Sequence, residues 1–335
     1  MSHDTPNPTT SNSITFDGVT KIYNDGTEAV SDVSFSVPNG ETATLVGPSG
    51  CGKTTTMKMV NALVEPTSGE VSVAGTSLTE YDPIELRRKV GYVIQDIGLF
   101  KHMTIEENVG IVPDIIGWDD DRIETRVTEL LELVRLGDEV RTKYPPELSG
   151  GQQQRVGVAR ALAAEPDVML MDEPFGALDP ITREQLQDEF RRIQEGLDVT
   201  IVFVTHDIDE ALKMGDRVAV MRDGELIQYD PPAELLRNPN DAFVESFLGE
   251  DRQLAQLQTV FVRDVMGPAD EAPTADHVPT LSPDDTLRLA VQAWLRSDTD
   301  AVPVVESDAV VGSITETHLR HVFEESSRPI EENHV

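Results

Sequence analysis

Eight consecutive residues carry the clearest chemical signal in the chain. Gly47, Pro48, Ser49, Gly50, Cys51, Gly52, Lys53 and Thr54 fit the spacing GxxxxGK[ST]. Glycines at these positions let backbone N–H groups turn inward and cradle phosphate oxygens. The helix expected to follow adds the positive end of its dipole. Lys53 would reach the outer phosphates as a point charge, and the Thr54 hydroxyl would ligate Mg²⁺. Thr55 follows at once and belongs to the same nucleotide-binding set. A second signal lies downstream, where the apolar run Val168–Met171 ends in Asp172 and Glu173. Asp172 is suited to holding Mg²⁺ and Glu173 to accepting a proton from an attacking water.

These groups need elements to position them. Glu41–Val46 reads as a strand entering the glycine-rich loop, and about 54–64 as the helix leaving it. Gly91–Ile94, Val168–Met171 and Ile201–Val204 are short apolar runs. Runs without alternation suit strands buried on both faces of a parallel sheet. Helical patterns alternate with them: about 104–136, with a break at Trp118, and about 151–164. That alternation predicts an α/β fold. Patches at Ser13–Phe16 and Val33–Val37 are further strand candidates. A first domain is expected over 13–249, preceded by a disordered tail at 1–12.

Residues 250–258 read as a linker, and 259–325 as a smaller unit followed by a polar tail at 326–335. Leu287, Ala290, Val291, Trp294 and Leu295 repeat as on an amphipathic helix. Ala301–Val305 and Val310–Thr315 are strand-like, and Leu319, Val322 and Phe323 mark one more helical face.

Composition narrows the classes. The 335 residues include 27 Lys and Arg against 61 Asp and Glu, a net charge of −34. Such self-repulsion opposes compaction in dilute buffer. The Debye length shrinks from about 10 Å at 0.1 M salt to about 3 Å at 1 M, so the charge is tolerable in concentrated salt. We read it as a halophile signature. A hydrophobic content of 39% argues against a disordered acidic chain. The acidic balance also disfavours nucleic acid as a partner. No apolar run exceeds four residues, far short of the roughly 20 that span a bilayer. The N-terminus lacks the basic start and apolar stretch of a secretory signal. Cys51 is the sole cysteine, so no intrachain disulfide is possible. Its place in the loop at a helix N-terminus is an environment that can lower a thiol pKa, and alkylation there is expected to block nucleotide binding. In normal function a small filler residue without chemical role is the better reading.

Leu148-Ser-Gly-Gly-Gln152 precedes a helical stretch. Together with the phosphate loop, Gln95, Asp172, Glu173, the run Ala177-Leu-Asp179 and His206, it resembles an ATP-binding cassette (ABC) ATPase in order and spacing. The resemblance covers about 13–249. It implies a P-loop NTPase fold with a mixed sheet core and an α-helical subdomain at about 96–158. It also implies ATP and Mg²⁺ as cofactors, and a head-to-tail homodimer that sandwiches ATP between the loop of one protomer and the LSGGQ of the other. Ser149, Gly150, Gly151 and Gln152 would then complete the partner's site. Glu173 would be the general base. Gln95 would sense Mg²⁺ and the attacking water, and His206 would contact the γ-phosphate. Asp179 would lie at the dimer seam and Tyr23 would stack on adenine. Such ATPases work with transmembrane permease subunits and a solute-binding protein. They sit at the cytoplasmic face of the membrane and touch it only through those partners.

The stretches 102–109 (HMTIEENV), 117–118, 146–158, 175–183 and 201–207 resemble the importer branch for quaternary amines such as glycine betaine, choline, carnitine and proline betaine. Importers of metal chelates, polyamines, sulfate or amino acids are the alternative, and a soluble cassette outside transport a remoter one. Val265-Met266, 279–286, 301–305 and 312–319 resemble a single CBS-type regulatory module, a small α/β unit. CBS copies normally occur in tandem, so pairing across the ATPase dimer is expected. His318 stands where nucleotide-binding copies have Asp, so ion sensing or structural pairing is expected there rather than adenosine binding.

Overall fold

Parallel strands cannot be joined by tight turns, so each needs a crossover that packs on the sheet. In the computed structural model the first unit contains, in order, β1 (Asn12–Ile22), β2 (Glu28–Pro38), β3 (Thr42–Val46), α1 (Lys53–Val60), β4 (Ser68–Val73), β5 (Thr76–Ser77), α2 (Pro83–Lys89) and β6 (Val90–Val93). There follow α3 (Ile105–Ile115), α4 (Asp120–Leu133), α5 (Gly150–Leu162), β7 (Val168–Asp172), α6 (Pro180–Gln194), β8 (Thr200–Thr205), α7 (Ile208–Met214), β9 (Arg217–Arg222) and β10 (Glu225–Asp230). The structure describes residues 12–95, 97–176, 178–194, 196, 199–249, 257, 260–269, 279–297, 299–306 and 309–319. Residues 1–11, Ala177, most of 250–258, Val322, Phe323 and the 326–335 tail lie outside the described residues.

The larger sheet runs β10-β9-β3-β8-β7-β6. β3, β7 and β8 are buried along their whole length, as their bare apolar sequences require. Register decides what these strands present. Val46 pairs with Thr205, and Asp172 pairs with Val204. The C-terminal ends of β3, β7 and β8 therefore finish side by side, the edge where open α/β sheets bind ligands.

A smaller antiparallel sheet runs β2-β1-β4-β5. Its apolar face, with Phe16 stacked on Phe35 at 4.6 Å, packs in one core with Leu45, Leu170, Val202 and Met57. The other core joins Phe175 and Phe203 to the apolar stripes of α3, α4 and α5. The expected helix over 104–136 is two helices. Gly117, at φ +85°, separates them, and Asp119 caps α4 by accepting from Arg122 N at 3.0 Å. α1 stops at Val60 rather than 64, because Ala62 takes a left-handed backbone.

The β4–β5 and β9–β10 hairpins are absent from the sequence reading. Both turn on two residues with positive φ, Ala74-Gly75 and Asp223-Gly224. The second pair is the composition of a type I′ turn and was a usable signal. β4 offered less, because three of its six residues are exposed.

The chain divides into two compact units between Asp230 and Pro231. The second includes α8 (Pro232–Arg237), α9 (Ala242–Leu248), a short helix Val262–Val265, a helix Leu287–Arg296, β11 (Ala301–Glu306) and β12 (Ala309–Thr315). β11 and β12 pair antiparallel, and Leu281, Leu287, Ala290, Val302, Val304 and Ile314 form their core.

Leu170, fully buried in the middle of β7, tests the sheet core. Leu170→Ala is expected to cost about 2–5 kcal/mol in denaturant unfolding, since the strand cannot collapse into the space left.

Candidate functional site

The glycine-rich loop joins β3 to α1 under tight steric limits. A Cβ on Gly47 would lie 2.1 Å from the Met221 carbonyl, and one on Gly52 would lie 2.3 Å from that of Ala29. Gly52 also sits at φ +102°. Lys53 is buried, and its Nζ donates to the carbonyls of Gly47 at 2.8 Å and Pro48 at 2.9 Å. The loop therefore curls around its own ammonium. Thr56 Oγ1 donates to Gly52 O at 3.1 Å and secures the first turn of α1.

Two carboxylates follow β7 and face different surroundings. Asp172 is buried and accepts from Thr54 Oγ1 at 3.0 Å. Burial raises its pKa above the usual carboxylate range, against the Thr54 hydrogen bond and the nearby Lys58 charge. Glu173 has a left-handed backbone, φ +45°, a costly conformation for a residue with a side chain. The sheet enforces it: Glu173 N donates to Val204 O at 2.9 Å and extends the β7–β8 ladder. The result turns Glu173 Oε2 toward two groups from other segments. Gln95 Nε2 donates to it at 3.3 Å, and His206 Nδ1 stands 3.3 Å away. Gln95 follows β6, Glu173 follows β7 and His206 follows β8, so three adjacent strand ends converge on one oxygen.

Ser149 and Gln152 form a capping box on α5. Gln152 N donates to Ser149 Oγ at 3.3 Å, and Ser149 N donates to Gln152 Oε1 at 3.0 Å. Their side chains serve α5 itself, and the exposed Gly150 presents open backbone. Asp179 caps α6 by accepting from Thr182 at 3.1 Å, and hydrogen bonds from Thr182 lower its pKa.

Comparison with known proteins now carries weight. The ABC transporter family model matches residues 30–176. The choline transport ATP-binding protein OpuBA of Bacillus subtilis is 48% identical over 306 residues, covering 91% of this chain and 79% of the relative. The chain belongs to the ABC transporter family. The osmoprotectant import ATP-binding protein OsmV of Salmonella typhimurium is 49% identical over 282 residues, covering 84% of this chain and 72% of the relative. The dimeric post-hydrolysis structure of the ATP-binding cassette MJ0796 bound to ADP and Pi superposes with a TM-score of 0.59 at 34% identity. That superposition covers 65% of this chain and 98% of the other. A CBS domain model matches residues 262–325. This chain is therefore an ATP-binding ABC ATPase with a P-loop fold and a CBS region.

Within this ABC cassette Tyr23 is exposed, with its hydroxyl 3.4 Å from Thr55 Oγ1. Sequence reasoning missed Lys21, whose Nζ stands 5.3 Å from the Tyr23 ring centroid and donates to Glu65 O at 2.6 Å.

Cys51 is buried in the loop, and its thiol does not take the lowered pKa that a helix N-terminus can confer. Burial pushes its thiol above the ordinary range, outweighing the Lys53 charge that would lower it. At 3% exposure it is also shielded from reagents. The loop's tight packing overrides the helix-terminus effect. His318 has a local role instead of an open ring: its Nδ1 accepts from Thr315 N at 3.2 Å.

Two outcomes follow from burial. Asp172→Asn replaces a buried charge by a neutral isostere. An ionised carboxylate whose folded pKa is raised destabilises the fold at neutral pH, and the cost vanishes once both states are protonated. The nucleotide-free variant should therefore melt above the parent near about pH 7, with the two converging as pH falls below about 4. A parent-like midpoint at neutral pH would contradict the buried charge. Iodoacetamide labelling of Cys51 in the folded protein should run at least about tenfold slower than in urea. Equal rates would show that the thiol is accessible.

Proposed function

We propose that this chain is the energy-coupling ATPase of an importer for quaternary-amine osmoprotectants. The observation that carries the enzymatic part is the shared Glu173 Oε2, held within 3.3 Å of both Gln95 and His206 beside the phosphate loop. The substrate class rests on the relatives, whose names specify choline and osmoprotectant transport. Glycine betaine, carnitine and proline betaine belong to the same chemical class.

In this reading the Lys53 ammonium leaves the Gly47 and Pro48 carbonyls and donates to the β- and γ-phosphates, and the backbone N–H groups of 47–52 supply further donors. Tyr23 offers its ring to the adenine. Glu173 takes the proton of a water aligned by Gln95. The water oxygen bonds to the γ-phosphorus, and the bond to the bridging oxygen breaks with its electrons left on ADP. His206 holds the γ-phosphate oxygens as charge shifts. Thr54 and Asp172 supply hard oxygen donors 3.0 Å apart, a set that suits Mg²⁺ with its remaining positions on phosphate and water. Mg²⁺ held by Thr54 and Asp172, with Gln95 as a further oxygen donor, would neutralise phosphate charge.

Two copies in head-to-tail contact would bring Ser149, Gly150, Gly151 and Gln152 of one protomer over the phosphates of the other, with Asp179 at the seam. Among the described residues no helix is long and apolar enough to cross a membrane. Permease subunits and a solute-binding protein would supply passage and selection, with this chain on the cytoplasmic face. An open groove of about 370 Å³ next to the Gln95 segment, lined by Arg87, Arg88, Phe100, Ile111 and Arg160, suits the permease contact. The net charge of −34 fits work in molar salt.

The test is uptake by the chain reconstituted with its permease and binding subunits in liposomes at molar salt. Labelled glycine betaine should enter with ATP inside and be displaced by choline but not by spermidine, sulfate or proline. Uptake of spermidine, sulfate or proline instead would retire the quaternary-amine reading and leave the ATPase. Glu173→Gln should lower ATP turnover by about 10²–10⁴-fold and trap an ATP-bound dimer. Parent-like turnover would end the general-base assignment.

A further inference from the structure

Two polar contacts, one helical turn apart, tie α6 to the segment that carries His206. Arg183 and Gln187 stand at i and i+4 and share a face of α6. Arg183 Nη2 donates to Leu178 O at 3.2 Å, and its Nη1 lies 3.9 Å from Asp207 Oδ2. Its Nε is buried with no hydrogen-bond partner. Gln187 Nε2 donates to the buried Glu210 Oε1 at 2.8 Å, and Lys213 Nζ donates to Gln187 Oε1 at 3.2 Å.

Both acceptors belong to the start of α7. Asp207 Oδ1 accepts from Glu210 N at 3.2 Å, and Asp207 N donates to Thr205 Oγ1 at 3.0 Å. His206 lies between Thr205 and Asp207, so this network sets where its ring stands against Glu173. At its other end α6 starts from Asp179, whose carbonyl accepts from Arg183 N at 2.9 Å. One guanidinium thus grips the residue before Asp179 and faces the residue after His206. At 3.9 Å the Arg183–Asp207 contact is longer than a hydrogen bond and has room to close.

Stability gives a weak reason for this arrangement. The Arg183 side chain is 30% exposed and that of Asp207 is 38%, a class of ion pair that adds little to stability. α6 is already anchored by buried Leu186 and Phe190 and by the Arg155–Glu189 pair. We propose that Arg183, supported by Gln187, is a positioning residue that couples the Leu178–Asp179 segment to the placement of His206. The proposal rests on the reading of Asp179 as a seam residue and His206 as a phosphate contact. Displacement of 178–179 when two protomers meet would then travel through Arg183 to Asp207 and bring His206 into register. A site assembled only on dimer contact would waste less ATP in the separated protomer.

The experiment compares Arg183→Gln and Arg183→Lys in the full chain. Arg183→Gln should lower kcat about tenfold with KM for ATP changed less than about twofold, the signature of a misplaced group rather than lost binding. Its melting temperature should stay within a few degrees of the parent, and Arg183→Lys should recover much of the loss. In the Glu173→Gln background, ATP-dependent dimerisation by light scattering should persist when Arg183→Gln is added. A kcat within about twofold of the parent would overturn the proposal. So would a rise in KM equal to the fall in kcat, or loss of the ATP-dependent dimer in the double variant. If Glu173→Gln alone fails to dimerise with ATP, the dimer reading of the proposed function falls, while the kcat comparison still decides the role of Arg183.

Discussion

The site depends on the register of three neighbouring parallel strands. Val46 beside Thr205 and Asp172 beside Val204 put the ends of β3, β8 and β7 at one level. The phosphate loop, Glu173 and His206 each begin one residue past those ends. A slip of one residue in any pairing would move a functional group by about 3.3 Å and turn it to the other face of the sheet. Complete burial of all three strands makes such a slip costly, because it would exchange side chains between two close-packed cores on the sheet's opposite faces.

Rigidity at this edge is arranged through backbone crowding rather than side-chain bulk. Gly47 and Gly52 lie against carbonyls of Met221 and Ala29, so β9 and β2 form walls of the loop. Glu173 is held in a left-handed conformation by a ladder hydrogen bond to Val204. That strain is tolerable because the sheet around it is continuous, and it turns the carboxylate out of the strand direction toward Gln95 and His206. Asp172, one residue earlier, keeps the strand conformation and stays buried against Thr54. Two adjacent carboxylates thus meet different surroundings through a single change of φ.

Charge is handled differently inside and outside. The excess of acids in the sequence repels itself, and that repulsion falls as salt shortens the Debye length. Around the site, cations are placed individually: Lys53 within the loop, Lys21 over Tyr23 and Arg183 between α6 and α7. With 27 basic residues against 61 acidic ones, such placements are not an average property of the surface.

Much of the site was legible because its chemistry is local. Eight contiguous residues define the phosphate loop, and Ser149 and Gln152, three residues apart, cap the start of α5. The β3, β7 and β8 runs, the helical break near Trp118 and the β11–β12 pair are likewise short-range patterns. The smaller sheet was legible only in part: the patches at Ser13–Phe16 and Val33–Val37 fall in β1 and β2, whereas the largely exposed β4 gains its place from β1, some 55 residues earlier. Cys51 shows the limit most clearly. Its place at a helix N-terminus can lower a thiol pKa, yet burial in the folded loop raises it.

By itself the sequence determined which residues can bind phosphate, hold a hard cation and accept a proton, because those capacities belong to side-chain type and local spacing. Only the tertiary structure decided that Gln95, Glu173 and His206 meet at one oxygen, and that Arg183 bridges residues 178 and 207. Those meetings depend on strand order and register, which long-range burial selects and no local pattern encodes.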